Sequence, residues 1–319
     1  MAAIGDVIDE KKADIDNDHD GAACTKRKAD KEDVFHGKSG VQAKKVKRSA
    51  ENQVQMKSNL VGTMNPSEAS LRYDLAVAHR LVAKMGMDML VWNHISARFL
   101  CDDNHSSKRS STDPPLRFLI TPGRKLWNRI TPHDLVLESD NVTANVIHSA
   151  IYRANDTIRA IIHLHTPAAT AVSCLKGGFQ PLFQDAAYFY QRVAYYNWDG
   201  LSNDEAEAPA LIHAVQSVPG CNTLVLNNHG FVCFGRSVKE VFILAYYFER
   251  CCDVQLRVMQ SGGGILHPSK KVMEAAAVTS FLPEFAPGNC EWEALCGEVD
   301  FEEEEKKKES RRSKFSNET

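Results

Sequence analysis

Between residues 161 and 173 the chain reads IIHLHTPAATAVS, and the pair His163 and His165 constrains the fold more than any other feature. The run is rich in β-formers, which suit a pleated, half-buried strand. Side chains two apart on a strand point to the same face, so both imidazoles can reach one ion. A second run, LVLNNHG, residues 224 to 230, brings His229 to a strand end beside a glycine. Three convergent imidazoles with an open fourth position is the arrangement of catalytic zinc. An ion held that way stabilises charge on a carbonyl or enolate oxygen without moving a proton. The plainer reading is a set of hydrogen-bonded packing histidines, and spacing alone leaves both readings open.

Around these runs helical and strand patterns alternate. SLRYDLAVAHRLVAKMGM repeats apolar positions at helical spacing, with Leu71, Leu75, Val77, Leu81 and Val82 toward a core. LVWNHISARFL reads as a strand and LRFLITP as its hairpin partner, with a polar excursion from Asp102 to Asp113 between them. ANVIHSAIYRA is helical and ends at Asn155-Asp156; His148 and His213 read as ordinary helix residues. AIIHLHT is a strand, and PAATAVSCL a helix with Pro167 at an early position. RVAYYNW is a strand, EAPALIHAVQ a helix, and LVLNNHG with FVCFG a hairpin. A long helix follows Ser237, with Glu240 completing a capping box, and stops at Gly262 to Gly264. The alternation predicts an α/β fold but not the strand order.

The flanks differ from this middle. Residues 1–66 are polar and poor in large apolar groups, so they predict a disordered tail. They hold two basic clusters, Lys26 to Lys28 and Lys44 to Arg48, which read either as a nuclear import signal or as a solvated basic stretch. Residues 301–319 are a charge block, likewise expected to be disordered, leaving 67–300 as the domain. A net charge of −3 gives no bulk attraction to nucleic acid. Nine cysteines without CxxC spacing point to reduced thiols inside a cell rather than a disulfide framework. No apolar run approaches the roughly 20 residues that span a bilayer, and no apolar signal segment opens the chain. A cytoplasmic location is therefore expected, with the cytoskeleton or nucleus as alternatives.

Four motifs in order, WNHISARF, IHSAIYRANDTIRAIIH, IIHLHTPAATAVS and LVLNNHGFVCFG, resemble the class II aldolase/adducin head-domain family. The resemblance runs from about Leu71 to about Gly262, with EWEAL near Glu291 also similar. It implies one three-layer α/β/α sandwich with a largely antiparallel central sheet. It implies zinc, or another divalent metal, on His163, His165 and His229. The family's enzymes are lyases, epimerases and dehydratases acting on small sugar phosphates, usually tetramers with active sites between subunits. Its adducin branch implies instead a non-catalytic scaffold that binds actin and the membrane skeleton. Trp292 and Leu295, three apart in NCEWEALCG, are expected to face a neighbouring subunit of a homo-oligomer.

Two departures from the family matter for chemistry. Its enzymes carry an acid/base glutamate on the helix before the His-x-His strand, and the matching residue here is Ala144. Alanine moves no proton, so Asp185 in PLFQDAAYFYQ is the substitute expected, with Tyr188 and Tyr190 as donors to an oxyanion. The plainer reading of Asp185 is a loop residue or helix cap. The substrate-binding segments are also altered. WNHISAR keeps Asn93 and Ser96 but has Trp92 for a glycine, and ITPGR keeps Thr121 and Gly123 but lacks a serine. Arg124 is a candidate replacement phosphate partner, or an exposed loop charge. The expected function is a metal-dependent lyase on a small hydroxy-carbonyl or sugar-phosphate substrate, with the actin-binding scaffold as the alternative.

Overall fold

Helix α1, Pro66–Lys84, buries Leu75, Val77, Leu81 and Val82 completely, as the helical spacing of its apolar residues dictates. Gly86, with φ at +67°, then turns the chain back toward the sheet, a conformation glycine adopts without steric cost. The computed structural model describes residues 66–99, 116–197, 200, 205–299 and 301. The two basic clusters, the whole excursion from Asp102 to Asp113 and the charged tail past residue 301 lie outside the described residues.

Six strands follow: β1 His94–Arg98, β2 Phe118–Ile120, β3 Ala160–Leu164, β4 Val193–Tyr196, β5 Thr223–Leu226 and β6 Gly230–Gly235. They form one sheet in the order β2-β1-β3-β6-β5-β4. Every pairing is antiparallel except β4 with β5. Between the strands run α2 Val142–Ala154, α3 Pro167–Ser173, a 3-10 segment Gln184–Phe189 and α4 Ala208–Gln216. After the sheet come α5 Val238–Gln260, α6 Lys270–Thr279 and α7 Trp292–Cys296.

Strict alternation along the strands divides the core in two. Ile95, Ala97, Ile162, Leu164, Phe231 and Cys233 pack against α1, α3 and α5. Ile161, Leu224, Leu226, Val232 and Phe234 pack against α2 and α4. The domain is therefore a three-layer α/β/α sandwich, as the family resemblance implies. No helix among the described residues is long and apolar enough to cross a membrane.

Three details depart from the sequence expectations. The Ser237 side chain accepts the Glu240 N–H, but the Glu240 carboxylate accepts the Arg236 N–H at 2.9 Å, one residue before the cap, so the reciprocal half of the capping box is displaced. Trp292 and Leu295 are half-buried on this chain's own core, Trp292 edge-on to Phe242 at 5.8 Å, so part of their apolar surface is already covered within one chain. Phe301, at the start of the expected tail, is buried against Tyr73 at 5.9 Å and beneath the Arg80 guanidinium.

Candidate metal centre

His163 is the next-to-last residue of β3 and pairs with His94 on β1 and Val232 on β6. Its ring lies on the α2 side of the sheet, because Ile162 and Leu164 occupy the other face. His163 Nδ1 donates to the Phe231 carbonyl at 2.9 Å, which leaves Nε2 as the free acceptor. His165 Nε2 lies 2.7 Å from that atom. His229 closes the group, with ring centroids 5.0 Å from His163 and 4.6 Å from His165. One nitrogen from each histidine lies within 4.8 Å of the others.

Local structure sets this convergence. His229 sits in the tight turn from β5 to β6, where Asn228 takes φ of +58° and the His229 N–H bonds Leu226 O at 3.0 Å. At Gly230 a β-carbon would stand 2.6 Å from Leu164 O and 2.9 Å from the His165 ring, so only glycine lets the turn lie against His165. Beyond His165, the Glu249 carboxylate of α5 accepts from the Thr166 hydroxyl and from the Ala168 and Ala169 N–H groups at 3.0 and 2.8 Å. That satisfies donors at the start of α3 that the helix itself leaves open and fixes the chain one residue past the histidine.

Burial first, then the neighbouring imidazoles, holds His163 well below the usual histidine range. Burial and His229 lower His165 to about 4, and burial lowers His229. All three are neutral at neutral pH, the form in which imidazole binds a metal. The donor set suits zinc: three imidazole nitrogens, two of them on half-exposed residues that leave a side open to a fourth group.

Two further histidines belong to this region, and the sequence reading missed both. His94 is buried beside His163 with ring centroids 4.7 Å apart, and its Nδ1 lies 2.6 Å from His148 Nε2. His148, on α2, is fully buried, and burial lowers it to about 3. The available signals were the two-residue spacing of His94 and Ser96 and the placement of His148 one helical turn beyond Ala144.

The other expected residues fall in different places. Asn93, Ser96 and Thr121 are buried. Ser96 Oγ is 2.5 Å from His148 Nδ1 and 2.9 Å from Tyr152 OH, and the Thr121 hydroxyl bonds His79 and the Ile95 backbone. Asn93 Oδ1 accepts the Met89 N–H, whereas its buried Nδ2 has no partner among the described residues. Gly123 is half-buried, and Arg124 is exposed with its Nε 3.8 Å from Asp140. Asp185 is the second residue of the 3-10 segment and acts electrostatically on Tyr188, Tyr247 and Cys251. Tyr188 donates to Phe285 O at 3.0 Å, and burial, Tyr247, Glu291 and Asp185 push it up to about 12. Asp185 and Tyr188 thus act on each other, and among the described residues no hydrogen bond joins either to the three histidines. Ala144 is fully buried on α2.

A three-layer sandwich with a histidine triplet at the end of its central strands is the frame of a class II aldolase-type domain. The family model described as "Class II Aldolase and Adducin N-terminal domain" matches residues 73–256, and the chain belongs to that family. Rat alpha-adducin is 31% identical over 254 residues, which cover 74% of this chain and 32% of alpha-adducin, so the match spans about a third of that relative. The crystal structure of an aldolase II superfamily protein from Pseudomonas syringae superposes with a TM-score of 0.64 at 27% identity, covering 75% of this chain and 96% of that one. L-fuculose 1-phosphate aldolase from Glaciozyma antarctica shares the fold with a TM-score of 0.57 at 21% identity, covering 74% of this chain and 92% of that one.

Proposed function

We propose that His163, His165 and His229 hold one divalent ion, zinc in first place, and that the site acts as a lyase on a small hydroxy-carbonyl or sugar-phosphate compound. The observation that carries this is the convergence of three imidazole nitrogens within 4.8 Å. A divalent ion held there would draw charge onto a carbonyl or enolate oxygen of the substrate. The chain's own residues do the rest. Asn93 Nδ2, without a partner among the described residues, offers a hydrogen bond to a substrate oxygen. Gly123 and the exposed Arg124 form a turn suited to a phosphate.

Proton movement falls to Asp185, with Tyr188 beside it, because Ala144 offers no acid. With no hydrogen bond joining Asp185 to the histidines of its own chain among the described residues, it would serve those of a neighbouring copy in a homo-oligomer, a tetramer in the simplest arrangement. Asp185→Asn should then cost at least roughly a hundredfold in turnover while metal content stays unchanged. Equal activity in the two proteins, measured on a panel of sugar phosphates and hydroxy-ketones, contradicts this assignment. A strictly monomeric mass in light scattering at micromolar concentration contradicts the cross-subunit arrangement.

A second reading, a non-catalytic scaffold on actin or the membrane skeleton, is favoured by Ala144 and by the likeness to alpha-adducin. It is tested by actin co-sedimentation beside the same assays. Saturable actin binding with no turnover, including in Ala144→Glu, decides for the scaffold. Turnover gained by Ala144→Glu identifies an enzyme that has lost its acid.

A further inference from the structure

The buried pair His94 and His148 is not required by packing. Two adjacent imidazoles at 2% and 0% exposure cost desolvation that a leucine or phenylalanine of similar volume would not. Both lie on the α2 face of the sheet, the face that carries His163. Their polar atoms form one continuous line: Tyr152 OH to Ser96 Oγ at 2.9 Å, Ser96 Oγ to His148 Nδ1 at 2.5 Å, and His148 Nε2 to His94 Nδ1 at 2.6 Å. A neutral imidazole has one donor and one acceptor, so a line of this kind fixes the tautomer and rotation of each ring in it. The line ends on His94, whose strand register sets it directly opposite His163. The two rings lie 4.7 Å apart at a 37° tilt.

We propose that His94 and His148 are positioning residues for the metal centre: His148 fixes the rotation of His94, and the His94 ring is the wall that sets the ring plane of the ligand His163. His163 is then held from two directions. The Phe231 carbonyl takes its Nδ1 and selects Nε2 as the ligand atom. His94 sets the angle at which Nε2 meets the ion. Neither residue touches the ion or a substrate. Outer partners of this kind aim a ligand's lone pair, and their loss commonly weakens a metal site without unfolding the protein.

This inference rests on the metal reading above, and the experiment separates the two. Cobalt is titrated into metal-free full-length protein and into His148→Leu, His148→Gln and Ser96→Ala. Visible absorption reports ligand geometry, chelator competition the affinity, and circular dichroism the fold. In His148→Leu, cobalt affinity should fall on the order of tenfold to a hundredfold and the visible band should shift. His148→Gln, whose amide nitrogen takes the place of Nε2, should recover most of both. Ser96→Ala, which removes only the hydroxyl that orients His148, should shift the band in the same direction by less. A folded His148→Leu with the parent's affinity and band overturns the proposal. So does a His148→Gln no better than His148→Leu. If His148→Leu does not fold, Ser96→Ala decides, and a parent-like band in that protein overturns the proposal. A parent protein that takes up no cobalt ends the metal reading and this inference together.

Discussion

Two polar clusters in this molecule differ in where their geometry comes from. The histidine cluster is built on the sheet. His94 and His163 face each other by register, His165 follows by the two-residue period, and His229 is delivered by a two-strand turn. The cluster of Asp185, Tyr188, Tyr247 and Glu291 is built instead on a 3-10 segment and the helices packed over it. The first contains imidazoles, with no carboxylate bonded to them among the described residues. The second contains carboxylates and phenols. In this chain the groups suited to hold an ion and the groups suited to move a proton are thus on separate supports. The sheet fixes the first set, and under the proposed function the second would meet it across a boundary between copies.

The largest effect should come from crowding the turn that carries His229. Gly230→Ala places a methyl 2.6 Å from the Leu164 carbonyl and 2.9 Å from the His165 ring. Neither is the far end of a flexible side chain, so the turn must move, at a cost on the order of 3 kcal/mol. Chemical denaturation should record that loss, and metal affinity should fall with it. Unchanged affinity would show that the turn does not place His229.

Glu249→Ala tests the support on the other side of His165. It strands the Thr166 hydroxyl and the two N–H groups that open α3. Stranded donors of this kind cost on the order of 2 kcal/mol, and Glu249→Gln should lose about half as much because one acceptor oxygen remains. The midpoint of urea unfolding reads both.

Acid should act on the buried imidazoles behind the histidine cluster. His79 is lowered from 6.5 to about 4 and His148 from 6.5 to about 3, each chiefly by burial. The unfolded chain therefore takes up protons at these positions from pH 6.5 downward while the folded chain does not. Their contribution is complete above pH 6.5, falls as pH drops toward about 4, and is spent below about 3. Stability of the metal-free protein should decline over that window by on the order of a few kcal/mol. His148→Gln should flatten the decline, as followed by thermal unfolding against pH. The smallest effects belong to the second cluster: Asp185→Asn should leave metal affinity unchanged. Arg124→Ala, on an exposed side chain, should alter stability by less than about 0.5 kcal/mol. A change in metal affinity with Asp185→Asn would join the clusters within one chain and break the comparison.

The contrast also explains what the sequence could disclose. Period-two spacing is a property of the strand itself, so His163 and His165 were readable as a pair, and glycine after His229 marked the turn. Helical spacing and the Ser237 cap were legible for the same local reason. His148 was not, because its partner His94 lies 54 positions away and only the pairing of β1 with β3 and the packing of α2 bring them together. Ser96 and Thr121 were expected to meet a substrate, and their type and position fitted that role. Their hydroxyls are instead spent on His148, Tyr152, His79 and the Ile95 backbone, which no local pattern reveals. Asp185 carried the right chemistry but no information on which surface the 3-10 segment would present.

Metal content is the measurement closest to the central claim. Full-length protein, purified without chelator, should carry close to one divalent ion per chain, zinc before others. His165→Ala, folded by circular dichroism, should carry almost none. A parent protein that stays near zero after incubation with zinc, or a His165→Ala protein that keeps its ion, would contradict the account.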